Sequence, residues 1–275
     1  MASCLSGPVD IDKLDYLQRD SLHCGVPYGR HFDADRLIEH LAVHPRRGCL
    51  AIGEKAKTAA EMMVFARYVM FSEVYWHRAV RSATAMLQRA VFLLQNRMDL
   101  GAMRRMADAD WIRSLLRAAE GSTAEALADG LFGPRRRLYK TFAEYDGLDA
   151  SGTHDRLARR PFWFLVAVAE RLAERLTRMS DTPVHPSDVL IDAPPVKLEV
   201  DINVDVVRRD GSVVSLAELS PVASSLATHQ FDHHVKRVRV FLRPDLRDEL
   251  TSRIDPGSLP SMVAEAADSV TAEIA

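Results

Sequence analysis

Residues 55–98 contain neither glycine nor proline and are rich in Ala, Met, Arg and Glu. With no breaker and strong helix formers throughout, this run favours one long helix or two joined by a kink, and it marks the body of the chain as helical. A shorter helix is expected over about residues 10–24. It should stop at Gly25-Val26-Pro27, because proline disfavours helical geometry in the residue before it. Further helices are expected at about 33–43, 102–118, 123–130 and 134–144. Residues 161–179 place Phe162, Trp163, Leu165, Val166, Leu172 and Leu176 at helical spacing, which reads as core.

Strand signals are fewer. Leu50-Ala51-Ile52 suggests one short strand. Turn formers crowd residues 180–187, marking a boundary. Beyond them Val196, Leu198, Val200, Ile202, Val204 and Val206 alternate with mostly polar residues, as in a strand with one buried face. Arg209-Asp210-Gly211 is a turn signal, Val213–Ser215 can return as a partner strand, and a third strand at 235–242 would complete a small antiparallel sheet. Residues 258–275 read as a terminal amphipathic helix. The expected fold is therefore a mainly α body with a small C-terminal antiparallel β/α subdomain, α+β overall, divided as residues 1–180 and 181–275.

At 275 residues, 47% apolar and 27% charged, the chain can bury a substantial core and is not of disordered composition. A net charge of −2 gives no global pull toward nucleic acid or a membrane surface, and the short basic runs at Arg135-Arg136-Arg137 and Arg159-Arg160 suit exposed helix faces. Nucleic acid is not an expected partner. The three cysteines, Cys4, Cys24 and Cys49, form no CxxC pair, and no apolar stretch resembles a signal peptide or approaches a membrane span. A reducing cytoplasm is the expected location.

If residues 10–24 are helical, Asp12, Tyr16 and Asp20 fall in one row at i, i+4 and i+8, spanning about 12 Å with Lys13 beside them. Two carboxylates, a phenol and an amine in one row can serve a metal ion, a sugar hydroxyl, a base edge or a phosphate. A solvated face with i, i+4 charge pairing has the same spacing. In the long helical run Arg67, Phe71, Tyr75 and Arg78 form a second row, readable as a partly buried aromatic stripe or as a ligand face.

The residues Asp10-Ile11-Asp12-Lys13-Leu14-Asp15-Tyr16-Leu17-Gln18-Arg19-Asp20 resemble the D-x-D-[KR]-x-D-Y-x-x-R-D segment of HD-domain phosphohydrolases, in the branch that includes deoxynucleoside triphosphate triphosphohydrolases. The resemblance continues through Gly25-Val26-Pro27, Phe32-Asp33, Arg36-Leu37-Ile38, Ala66-Arg67-Tyr68 and Val74-Tyr75-Trp76-His77-Arg78. It covers roughly the first 100 residues, with weaker echoes at Arg137-Leu138-Tyr139-Lys140 and Leu190-Ile191-Asp192-Ala193-Pro194-Pro195. It implies an HD-like helical body and a cluster of His, His-Asp and a downstream Asp that holds a divalent metal, Mg, Mn or Fe. Such a metal polarises a phosphoryl oxygen and lowers the pKa of a bound water.

The resemblance assigns Asp12 as the last of those metal ligands, Lys13 and Arg67 to the phosphates, Asp20 to the 3′-hydroxyl, Tyr16 to the 2′ side of the sugar and Tyr75 to the sugar or base. His77 and Arg78 match less secure nucleotide-contact positions, and Phe71 departs from the polar residue often found there. Only eleven residues precede Asp12 and none is histidine, so the chain corresponds to the C-terminal half of an HD protein. It is expected to bind no metal by itself and to be inactive alone. A nucleotide, an upstream-encoded HD polypeptide and further copies of the chain are its expected partners, and a non-catalytic nucleotide-binding or assembly subunit is the alternative. His154-Asp155 is a literal HD dipeptide, but it follows Asp12, and Thr153 before it reads as a helix N-cap. His229, Asp232, His233 and His234 are a second imidazole-carboxylate group, running into an alternating strand that would turn His233 and His234 to opposite faces.

Overall fold

A computed structural model describes residues 2–195, 204–226 and 235–274. Its elements begin with α1 (Ile11–His23), α2 (Ala34–Glu39), β1 (Leu41–Val43), β2 (Leu50–Gly53), α3 (Lys57–Met70) and α4 (Arg78–Leu94). They continue with α5 (Asp108–Ala119), α6 (Glu125–Phe132), β3 (Lys140–Tyr145), α7 (Phe162–Thr177) and β4 (Val189–Asp192). β5 (Asp205–Val207), β6 (Val213–Ser215), β7 (Val238–Leu242), α8 (Pro244–Thr251) and α9 (Leu259–Ile274) complete the order. The fold is mainly α and α+β overall. Its contacts divide into two compact units, Met1–His77 with Leu198–Val235, and Arg78–Lys197 with Lys236–Ala275. The segment 180–187, where composition suggests a boundary, lies within the second unit.

In the first unit, β1, β2, β5 and β6 form one sheet in that order, with β2 and β5 parallel and the other pairs antiparallel. Leu14 and Leu17 of α1, Leu37 of α2, Ile52 of β2 and Met63 and Met70 of α3 close over Val204, Val206 and Leu216 in one core. Burying each such side chain contributes about 1.5–3 kcal/mol. Gly29 lies against the back of α1, where a Cβ would stand 2.0 Å from the Leu17 carbonyl oxygen, so only glycine fits. The Ser21 hydroxyl donates to the Val26 carbonyl (2.5 Å) and accepts from Gly29 N–H (3.2 Å), fixing the Gly25-Val26-Pro27 exit to the helix it terminates.

In the second unit, β7 lies between β3 and β4 and is antiparallel to both. The pleat divides the core. Val189, Ile191, Val238, Val240 and Leu242 face α7 and α9, whereas Leu190 and Phe241 face α4, α5 and α6. All five residues of β7 are buried, Arg239 among them, so the strand that reads as alternating in sequence is covered on both faces.

Several expectations are corrected. The helix expected over 33–43 ends at Glu39, and Leu41–Val43 instead pairs with β2 around the turn at Pro45. No helix covers 134–144, because Lys140–Tyr145 is drawn into the sheet as β3 beside β7. The helix expected at 102–118 is a short turn at Leu100–Met103 followed by α5. Val238–Leu242 joins β3 and β4 rather than the 205–215 hairpin, so its strand forms in the second unit. Gly152, with φ +68°, is the N-cap of the short helix Thr153–Leu157, and Thr153 is its first residue. Of the alternating stretch 196–206, residues 196–203 lie outside the described residues, as do His229, Asp232, His233 and His234. The long breaker-free run does form two helices, α3 and α4.

Candidate functional site

The site is built on α1 and the end of α3. Asp10 caps α1: its Oδ1 accepts from Lys13 N–H (2.8 Å) and its Oδ2 from Gly7 N–H (2.9 Å). The helix begins directly after it, so Asp12, Tyr16 and Asp20 stand on successive turns. The Lys13 ammonium is held by Asp10 Oδ2 and the Gly7 carbonyl, each at 2.6 Å, which leaves one of its three N–H donors for another partner. Burial alone would raise the Asp10 carboxyl. The Gly7 N–H, the Lys13 ammonium and the Lys13 N–H together hold it below its ordinary value.

After Met70 the bonding of α3 widens into a π turn over Phe71–Tyr75, closed by Trp76 N–H donating to the Phe71 carbonyl (2.8 Å). Such single π turns gather at functional positions. Trp76 is buried against Val235, with Tyr68, Phe71 and Tyr75 around it. Tyr75 then makes an edge-to-face contact with Phe71 (5.1 Å between centroids) and another with Tyr16 (6.1 Å), and its hydroxyl donates to Asp20 Oδ2 at 2.9 Å. Burial, reinforced by the Asp20 carboxylate, pushes the Tyr75 phenol far above its usual range. Arg67, on α3, is 2% exposed. Burial raises the Tyr16 phenol, and Arg67 opposes that rise.

Of the residues expected in the site, Tyr16, Asp20, Arg67 and Tyr75 are thus brought into one assembly, with Lys13 on the same helix tied to its N-cap. Asp12 is exposed on that helix, and His77 is exposed just past the π turn. Arg78 opens the second unit. Sequence reasoning passed over Asp10 and Trp76. The Asp-x-x-Lys spacing at a helix start was a signal for the former, and an indole beside a polar aromatic row was only a faint one for the latter.

The donor set does not by itself fit a divalent metal. Among the described residues no three His, Cys, Asp or Glu side chains gather to hold one, and the single exposed Asp12 carboxylate falls short of the several ligands such ions require. His154 is engaged elsewhere, with Nε2 at 2.9 Å from the Lys236 carbonyl and Nδ1 at 3.3 Å from Asp155.

Comparison with known proteins follows the same lines. An uncharacterised protein of Methanocaldococcus jannaschii is 32% identical over 227 residues, 81% of this chain and 46% of that protein. The uncharacterised protein YwfO of Bacillus subtilis is 36% identical over 101 residues, 37% of this chain and 23% of that protein. A hypothetical protein from Aquifex aeolicus superposes with a TM-score of 0.61 at 25% identity, over 90% of this chain and 59% of its own. A phosphohydrolase from Bacteroides thetaiotaomicron shares the fold, with a TM-score of 0.57 at 20% identity over 88% of this chain and 63% of its own. The chain spans about half the length of the archaeal relative. The model of the HD associated region matches residues 32–255, beginning after α1 and so not including Asp12, Tyr16 and Asp20. With that match extending over most of its length, the chain belongs to the HD associated region family, a group related to HD-domain proteins.

Proposed function

We propose that this chain supplies the nucleotide-facing part of an HD-type, metal-dependent phosphohydrolase acting on (deoxy)nucleoside triphosphates. The observation that carries the reading is the Asp20–Tyr75–Tyr16–Arg67 assembly. It sets a carboxylate acceptor, two aromatic edges and a cation side by side, the set needed for a sugar hydroxyl, a sugar face and a phosphate. Asp20 accepts from a 3′-hydroxyl through the oxygen that Tyr75 does not occupy. Tyr16 crowds the 2′ side, Tyr75 packs on the sugar, and Arg67 with the remaining Lys13 donor brings positive charge to the phosphates. His77 is an outer contact. Asp12 contributes one metal ligand, the His and His-Asp ligands come from sequence outside this chain, and the working assembly is a homo-oligomer.

The test is phosphate release with Mn²⁺ and each deoxynucleoside triphosphate. It is run on the purified chain alone, and again with the part of the Methanocaldococcus jannaschii relative outside the match. Hydrolysis is expected only in the second arm. Hydrolysis by the chain alone would overturn the divided site, and nucleotide-induced stabilisation without hydrolysis in either arm would favour a non-catalytic binding subunit.

A further inference from the structure

α3 is short of charge for a helix that meets solvent. Of its 14 residues only Lys57, Glu61 and Arg67 are charged, and Arg67 is buried. A helix that is apolar almost all round is ordinarily covered on every side. Ala59, Ala60, Met63, Val64 and Met70 cover the inner side in the core of the first unit. The outer side stays open: Met62 is 40% and Phe65 45% exposed, the Phe65 and Tyr68 rings lie 6.5 Å apart, and half-buried Val69 carries the stripe one turn further. An uncharged apolar stripe of this kind marks a contact surface.

The two ends of the stripe indicate its occupant. Lys57 stands in the first turn of α3 and exposed Glu73 in the π turn that follows the last, eight residues either side of Phe65. Each opposes the helix dipole, a cation at the positive end and an anion at the negative end. Lys57 has Glu61 at 3.6 Å on its own helix, a partly exposed i, i+4 pair weak enough to be exchanged. An antiparallel copy of the same helix corrects both ends, because it brings Glu73 and its negative helix end to Lys57, and the two-fold axis repeats the contact. We infer that this face of α3 is the isologous contact between two copies of the chain, with the axis at Phe65 and reciprocal Lys57–Glu73 pairs closing both ends. The inference rests on the homo-oligomer of the reading above and names its contact face. Tyr68 borders that face and packs on buried Trp76, so the contact adjoins the π turn that presents Tyr75.

Sedimentation equilibrium of the full chain tests the face, with a melting curve to show that each variant is folded. The unaltered chain is expected to dimerise, and Phe65→Glu to raise the dimer Kd about thirtyfold, as loss of a central aromatic anchor does. Lys57→Glu alone and Glu73→Lys alone should each raise it about tenfold, since each sets like charges opposite one another at both ends. An equimolar mixture of those two variants should dimerise as the unaltered chain does, because every end then joins opposite charges. A chain that is monomeric at every concentration, a dimer unmoved by Phe65→Glu, or a mixture that associates no better than its components would overturn the contact. A monomeric chain whose pairing with the added polypeptide is lost in Phe65→Glu would give the face to that polypeptide and overturn the contact as well. None of these measurements reads nucleotide: hydrolysis in the two-polypeptide arm would stand beside a monomer, and the dimer would stand without hydrolysis.

Discussion

Two buried side chains fix expectations at the scale of single residues. The Tyr145 hydroxyl is buried with no hydrogen-bond partner among the described residues, so its desolvation is uncompensated. Replacing it by phenylalanine should leave stability unchanged or raise it by up to about 1 kcal/mol in urea denaturation. Burial also pushes its phenol up to about 12 from an ordinary 10. A raised pKa keeps the proton on the folded form while the unfolded form gives it up. The stability linked to this group is therefore complete below pH 10 and lost between pH 10 and 12. Tyr145→Phe should flatten that alkaline limb of the melting temperature. The opposite case is Arg81, which grips the buried Asp192 through Nε (2.8 Å) and a terminal nitrogen (2.5 Å). Burial pushes the Asp192 carboxyl up against the pull of Arg81. Arg81→Met would strand it, at an expected cost of about 3–5 kcal/mol read by the same denaturation.

Elements differ in whether their own sequence closes them. α1 carries its stop and its cap within itself: Asp10 satisfies the first N–H groups and Gly25-Val26-Pro27 ends the run. Asp10→Ala is expected to destabilise by about 1–2 kcal/mol. Because the Asp10 carboxyl is held below its ordinary value, the stability it adds is present above about pH 4 and is lost as acid protonates it. The variant's acid limb in a pH-melting series should therefore be shallower than that of the unaltered chain. β3 shows the contrary behaviour. Lys140–Tyr145 contains Thr, Phe and Tyr, which suit a pleated surface, but what holds it is pairing to β7 nearly a hundred residues away. Within that pairing Glu144, Arg239 and Asp192 lie opposite one another across the sheet, and Arg239 Nε donates to Glu144 at 2.5 Å. No local pattern in 134–144 carries that information, so a helix was the natural reading.

For the whole molecule, the division into two units and the confinement of the proposed nucleotide site to the first give a regional prediction. A saturating deoxynucleoside triphosphate should slow amide exchange in α1 and the end of α3, with little protection in α7, α9 or β7. At a ligand concentration of a hundred times Kd it should raise stability by about 2.7 kcal/mol. Uniform protection, or protection only in the second unit, would place the ligand elsewhere. No helix among the described residues is long and apolar enough to cross a membrane, in keeping with the even charge and apolar balance of the sequence.

The sequence by itself determined α1 with the row it displays, the two helices of the breaker-free run, α7 and the terminal helix. Helical hydrogen bonds, caps and stops join residues a few positions apart, so Asp10 to Cys24, the breaker-free run and the terminal helix were legible in order and spacing. So was the Arg209-Asp210-Gly211 turn, where Gly211 adopts φ +81° and Val206 returns to face Val214. Tertiary structure alone decided which strands share a sheet, with Leu50–Gly53 paired to Asp205–Val207 and Val238–Leu242 set between segments from 140 and 189. It also decided that Arg67 is buried and that the Tyr75 hydroxyl meets Asp20. Strand pairing and side-chain contact between distant residues depend on the closure of intervening chain and on burial against partners, quantities that no window of neighbouring residues contains.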